Sequence, residues 1–151
     1  MGIAGFGNFR RLCGLCERKM QALFLPVPRK ELFVMWYEVG KTGQLDSSVL
    51  FAEIRVPADS PWFCGHFPGE PILPGIAQLG MVYDAIARSD DRKLSIKSVS
   101  RVRFKQAIRP DDHLKITASP RRDEIDSYNF RIMIEEAVVC SGVMTLQEAQ
   151  G

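Results

Sequence analysis

The clearest alternation of hydrophobic and polar positions lies in SVLFAEIRV. There Leu50, Ala52, Ile54 and Val56 fall on one side and Val49, Phe51, Glu53 and Arg55 on the other, which predicts a half-buried strand. Upstream, LFVMWYEV is rich in β-branched and aromatic residues and reads as a first strand, and GKTGQLDSS reads as a turn-rich connection between the two. A loop crowded with proline and glycine, PADSPWFCGHFPGEPILPG, follows. From Gly75 to about Arg88 the period becomes helical, with Ile76, Leu79, Tyr83 and Ile86 on one stripe and Pro74 suited to the first turn. After SDDRK the pattern returns to strands in KLSIKSVSRVRFKQ, HLKITASP, SYNFRIMIEE and AVVCSGVMTLQ. Two strands, one apolar helix and a run of antiparallel strands predict an α+β domain in which the helix covers a curved sheet. One helix leaves a sheet face or edge uncovered, so pairing between subunits is expected.

Length and composition narrow this picture. At 151 residues and 17.0 kDa the chain accommodates one domain with an appendage. We place the boundary so that residues 1–29 form an N-terminal extension and residues 30–148 the domain. A hydrophobic share of 46% and a charged share of 25% match a globular balance rather than a disordered or membrane chain. A net charge of +2 and a pI near 8.4 are far from a nucleic-acid-binding footprint. In the extension, Leu12, Leu15, Cys16, Lys19 and Leu23 fall near helical spacing, which predicts a short basic amphipathic helix. Packing on the domain or on a partner is the leading reading of that stripe, and contact with a membrane surface the lesser one. Charges interrupt its apolar run, so it has no secretory or membrane-spanning character. Cys13 and Cys16 form a CxxC, but no second ligand pair accompanies them among Cys64, Cys140, His66 and His113. Zinc is therefore not expected, and free thiols in a reducing cytoplasm are.

Only two histidines are available for imidazole chemistry. His113 follows Asp111 and Asp112 at a strand start and reads as a surface turn residue. His66 lies in FCGHFPGEPILPG, between glycines that allow close backbone approach and just ahead of a helix start whose N–H groups are unpaired. A base beside such a terminus suits removal of a proton α to a carbonyl. On spacing alone an ordinary loop or core histidine is the competing reading.

GHFPGEPILPG, Gly65 to Gly75, resembles the active-site segment of the hotdog-fold 3-hydroxyacyl-carrier-protein dehydratases of the FabA/FabZ type. LPVPRKELF (residues 25–33) is loosely similar to that family's opening segment, and VRFKQAIRPDDHLKI (residues 102–116) to its later strand and turn. GIAQLG, Gly75 to Gly80, is similar to a divergent branch associated with aryl-polyene-type clusters. The resemblance implies a hotdog fold, in which a curved antiparallel sheet wraps one central helix, and a homodimer or higher homo-oligomer with an acyl tunnel at the interface. It implies a 3-hydroxyacyl thioester on a phosphopantetheine arm or acyl carrier protein as substrate, and no metal or redox cofactor.

Carried over residue by residue, the resemblance implies His66 as the base and the Gly75 N–H as the group polarising the thioester carbonyl, with Phe67, Pro74 and Phe104 against the substrate. The family's acid stands fourteen positions after its histidine, which here is Gly80. Loss of a general acid costs about 10² to 10⁴ in rate. Asp84, one helical turn further on, and Glu70, in the histidine loop, are the candidate replacements. Thioester hydrolysis and acyl binding without reaction are the alternatives. Lys97, Arg101, Arg103 and Lys105 share a predicted strand face, with Arg109, Arg121 and Arg122 nearby. Arg101, Arg103 and Lys105 are the expected docking cations for an acidic carrier protein, against the plainer reading of a solvated sheet face.

Overall fold

The computed structural model describes residues 36–63 and 69–150. The N-terminal extension with its CxxC, residues 30–35, which include the first four residues of the expected opening strand (32–35), and the segment Cys64, Gly65, His66, Phe67 and Pro68 lie outside the described residues.

Six strands form one antiparallel sheet: β1 (Glu38–Gln44), β2 (Leu50–Arg55), β3 (Leu94–Phe104), β4 (His113–Pro120), β5 (Ser127–Ile134) and β6 (Ala137–Glu148). Their spatial order is β1-β2-β4-β5-β6-β3, so β1 and β3 are the edges. The one α-helix among the described residues, α1 (Gly75–Ala87), carries the chain from β2 to the far edge and packs on β2, β3 and β4.

Strand alternation sorts the two sheet faces. Leu50, Ala118, Phe130 and Gly142 form one transverse row facing the helix, and Ala52, Ile116, Ile132 and Cys140 form the next. Apart from half-buried Gly142, every residue in these rows is buried. Small residues in the rows leave room for the helix. A Cβ on Gly142 would stand 2.8 Å from the buried Phe130 ring and 3.2 Å from the Ser100 carbonyl oxygen. On the opposite face, Phe51, Thr117, Arg131, Ser141 and Arg103 line up across five strands.

Two expectations are corrected. GKTGQ belongs to β1 rather than to a connection: Glu38–Gln44 pairs with Arg55–Leu50, with a register shift between Val39 and Thr42. An exposed edge strand needs little apolar patterning, because its partner's ladder supplies the pairing. The buried helix face also differs from the expected stripe. Ala77, Gln78, Met81, Val82, Asp84 and Ile86 are buried, whereas Ile76 is 70% exposed and Leu79 and Tyr83 are half-buried. Apolar residues ring most of the helix, so periodicity alone did not choose between its faces.

Candidate active site at the start of the central helix

The loop between β2 and α1 is fixed at both ends. On the entry side, a single 3-10 turn (Pro61–Phe63) follows Ser60, whose hydroxyl donates to the Trp36 carbonyl at 2.7 Å. The Trp36 and Trp62 rings meet edge to face with centroids 4.6 Å apart. On the exit side, the buried Leu73 donates its N–H to the Ile108 carbonyl at 2.8 Å. His66 and Phe67 belong to the intervening segment and lie outside the described residues, while Glu70 is exposed on the way out.

Pro74 is the helix N-cap, in extended conformation, and its carbonyl accepts from the N–H groups of Ala77 and Gln78. The N–H groups of Gly75 and Ile76 form no hydrogen bond among the described residues. These first-turn donors are the groups an oxyanion would use. Phe104, at the end of β3, lays its ring over this point: a Cβ on Gly75 would stand 2.7 Å from the ring's Cζ. Glycine therefore allows the aromatic edge to approach the helix start. Phe104 is 53% exposed, and with exposed Ile76 it leaves apolar surface around the donors.

Gln78, in the first turn, is buried. Its Nε2 donates to the Leu73 carbonyl at 3.3 Å, bracing the loop exit, and its Oε1 has no hydrogen-bond partner among the described residues. The amide is thus a buried brace with one spare acceptor.

Asp84 lies buried on the same helix, and its Oδ2 accepts from Tyr37 Oη at 2.5 Å and from Arg88 Nε at 2.7 Å. Burial, followed by the hydrogen bond to Asp84, raises the Tyr37 hydroxyl above its ordinary range. Gly80 is half-buried one turn earlier. The Asp84 and Arg88 spacing of four was visible in the sequence, but Tyr37, 47 positions away, had no local signal.

The basic residues of β3 separate. Arg101, Arg103 and Lys105 line one concavity, which Arg131 of β5 joins from across the sheet; Lys97 does not line it. A register shift between Ile96 and Ser98 breaks the simple alternation at Lys97. Arg131 was missed because only the strand order brings β5 near β3. Among the described residues no cluster of three His, Cys, Asp or Glu side chains is placed to hold a metal ion.

A curved antiparallel sheet around one helix, with a histidine loop ending at that helix's start, defines a hotdog-fold protein of the FabZ/ApeI dehydratase type. The ApeI-like family, described as ApeI dehydratase, matches residues 43–143, more than half of the chain, and the chain belongs to that family. It is 34% identical over 111 residues to the 3-hydroxyacyl-[acyl-carrier-protein] dehydratase FabZ of Syntrophobacter fumaroxidans, covering 67% of this chain and 76% of that one. A FabZ of Lactobacillus helveticus is 25% identical over 100 residues, 60% of this chain and 68% of that enzyme. Among solved structures, the dehydratase heterocomplex ApeI:P from Xenorhabdus doucetiae superposes with a TM-score of 0.64 at 22% identity, covering 72% of this chain and 95% of that chain. A mutant thioesterase, PA1618 from Pseudomonas aeruginosa, shares the fold with a TM-score of 0.58 at 14% identity, covering 87% and 91%.

Proposed function

We propose that the chain eliminates water from a 3-hydroxyacyl thioester carried on a phosphopantetheine arm or acyl carrier protein, in cytoplasmic biosynthesis of the fatty-acid or polyene type. The observation that carries this reading is the helix start itself. Gly75 and Ile76 present N–H groups that form no hydrogen bond among the described residues, under an aromatic edge, at the end of the segment that bears His66. His66 takes the proton from C2, and the Gly75 N–H stabilises the negative charge that develops on the thioester oxygen. The electron pair then forms the C2–C3 double bond as the C3–O bond breaks, and the hydroxyl leaves as water once it receives a proton. Phe67, Pro74 and Phe104 hold the acyl chain, and no metal or redox group takes part.

Two sources fit the departing proton. One is Asp84, whose Oδ1 has no hydrogen bond among the described residues. The other is Glu70, exposed on the exit from the histidine segment. A dimer is supported by the outer edge of β3, which pairs with no strand among the described residues, and by the exposed Ile76, Ile96 and Phe104 beside it. Arg101, Arg103 and Lys105 add a positive field that favours the approach of an acidic carrier.

The glycine at position 80 favours a second reading, in which the same site hydrolyses the thioester or holds an acyl chain unreacted. One assay separates the three. With a 3-hydroxyacyl thioester, dehydration raises enoyl absorbance, hydrolysis releases free thiol, and a binding protein does neither. We expect enoyl formation in the wild type and a loss of at least about 10²-fold in His66→Ala. Retained turnover in that variant would overturn the assignment.

A further inference from the structure

On the sheet face turned away from α1, a concavity of about 540 Å³ opens over β3, β4, β5 and β6. Its walls carry four cations, Arg101, Arg103, Lys105 and Arg131, and no carboxylate. None of the four side chains makes a hydrogen bond or ion pair within the described residues. Asp123, a carboxylate within the electrostatic reach of Arg101, is already engaged by the Arg121 guanidinium.

The sheet register makes the cations converge. Arg131 and Arg103 both pair with Ser141 of β6, one from each side, so their Cα atoms are two strand spacings apart, roughly 10 Å. Two guanidinium groups at that separation can reach a common anion. Thr117, which pairs with Arg131 from the other side, adds a short hydroxyl donor across Arg131 from that of Ser141. The register shift between Ser100 and Arg103 puts an extra residue in β3, and Arg101 takes a left-handed backbone there, at φ 54°. Such bulges re-aim side chains, and this one brings a third cation to the same rim.

We propose that this groove binds a small phosphorylated anion carrying two or more negative charges, at a site separate from the helix start. Guanidinium forks match phosphate oxygens in pairs, and serine and threonine hydroxyls at the floor complete the coordination. The concave shape and short floor donors suit a compact ligand better than the broad surface of a protein. The proposal does not rest on the dehydratase reading, although three of its cations also contribute the field that reading uses for carrier approach.

Inorganic diphosphate is the probe, titrated into the full-length chain at constant ionic strength with sodium chloride as the matched control. Calorimetry and thermal unfolding are followed together, with a polyglutamate peptide in a parallel arm. Saturable binding of diphosphate, with a rise in Tm beyond the chloride control, is expected. Affinity should fall at least tenfold in Arg131→Gln and in Arg103→Gln. Both positions are exposed, so the anion-free Tm of these variants should stay unchanged or rise as like-charge repulsion is relieved. Absence of saturable binding, equal affinity in the variants, or binding of polyglutamate without diphosphate would each overturn the proposal. The last outcome would assign the face to an acidic protein instead.

Discussion

Two glycines show how one added methyl can have opposite consequences. At Gly142 a Cβ would press into Phe130, which is packed in the core and has nowhere to move. Gly142→Ala should therefore lower stability by about 1–3 kcal/mol, measured by urea unfolding. At Gly75 the obstructing atom is the tip of the Phe104 ring, which is half-exposed in the isolated subunit and can rotate aside there. Gly75→Ala should leave stability nearly unchanged in the same measurement. Buried Cys140 has a different signature: burial pushes its thiol up to about 11, from an ordinary 9.0. Because the folded value is the higher one, the unfolded chain loses its proton first. Stability from this group is thus complete below about pH 9 and lost as pH rises through 11. Urea unfolding across that interval should show a decline that is shallower in Cys140→Ala.

At the scale of elements, α1 is tied at both ends by different means. Its start is braced by Gln78 on the Leu73 carbonyl, and its last turn by Asp84, which receives Tyr37 and Arg88. Tyr37→Phe would leave a buried carboxylate oxygen short of one donor, at a cost of about 1–3 kcal/mol. Comparing this variant with Asp84→Asn separates anchoring from acid catalysis. If Asp84 supplies the proton, Asp84→Asn should lose about 10² to 10⁴ in kcat, while Tyr37→Phe loses mainly stability. Comparable, small kcat changes in both variants would remove Asp84 from the reaction and leave it as the helix anchor. Steady-state kinetics beside chemical unfolding of each variant decides this.

For the whole molecule, the decisive surface is the apolar ground around the helix start and the β3 edge. Ile76, Ile96 and Phe104 are all large and exposed there. In the proposed dimer, a second subunit would cover that surface and close the acyl site. Ile76→Lys is therefore expected to shift the chain toward monomer in sedimentation equilibrium while keeping its folded circular dichroism spectrum. An unchanged mass distribution would place the subunit contact elsewhere.

The strands β2 and β4 to β6, the helix limits and the histidine loop were legible because each is a local property: alternation, helical period, and proline and glycine punctuation. The sequence by itself thus determined the order of elements, the family resemblance and the helix start at Gly75. Edge strand β1 was not legible, since Thr42, Gly43 and Gln44 acquire their pairing from β2 rather than from their own pattern. Tertiary structure alone decided which helix face is buried, that Asp84 meets Tyr37, and that Arg131 joins Arg103 across Ser141. Those facts depend on strand order and crossover, which bring together residues distant in the chain, and no local period encodes such a meeting.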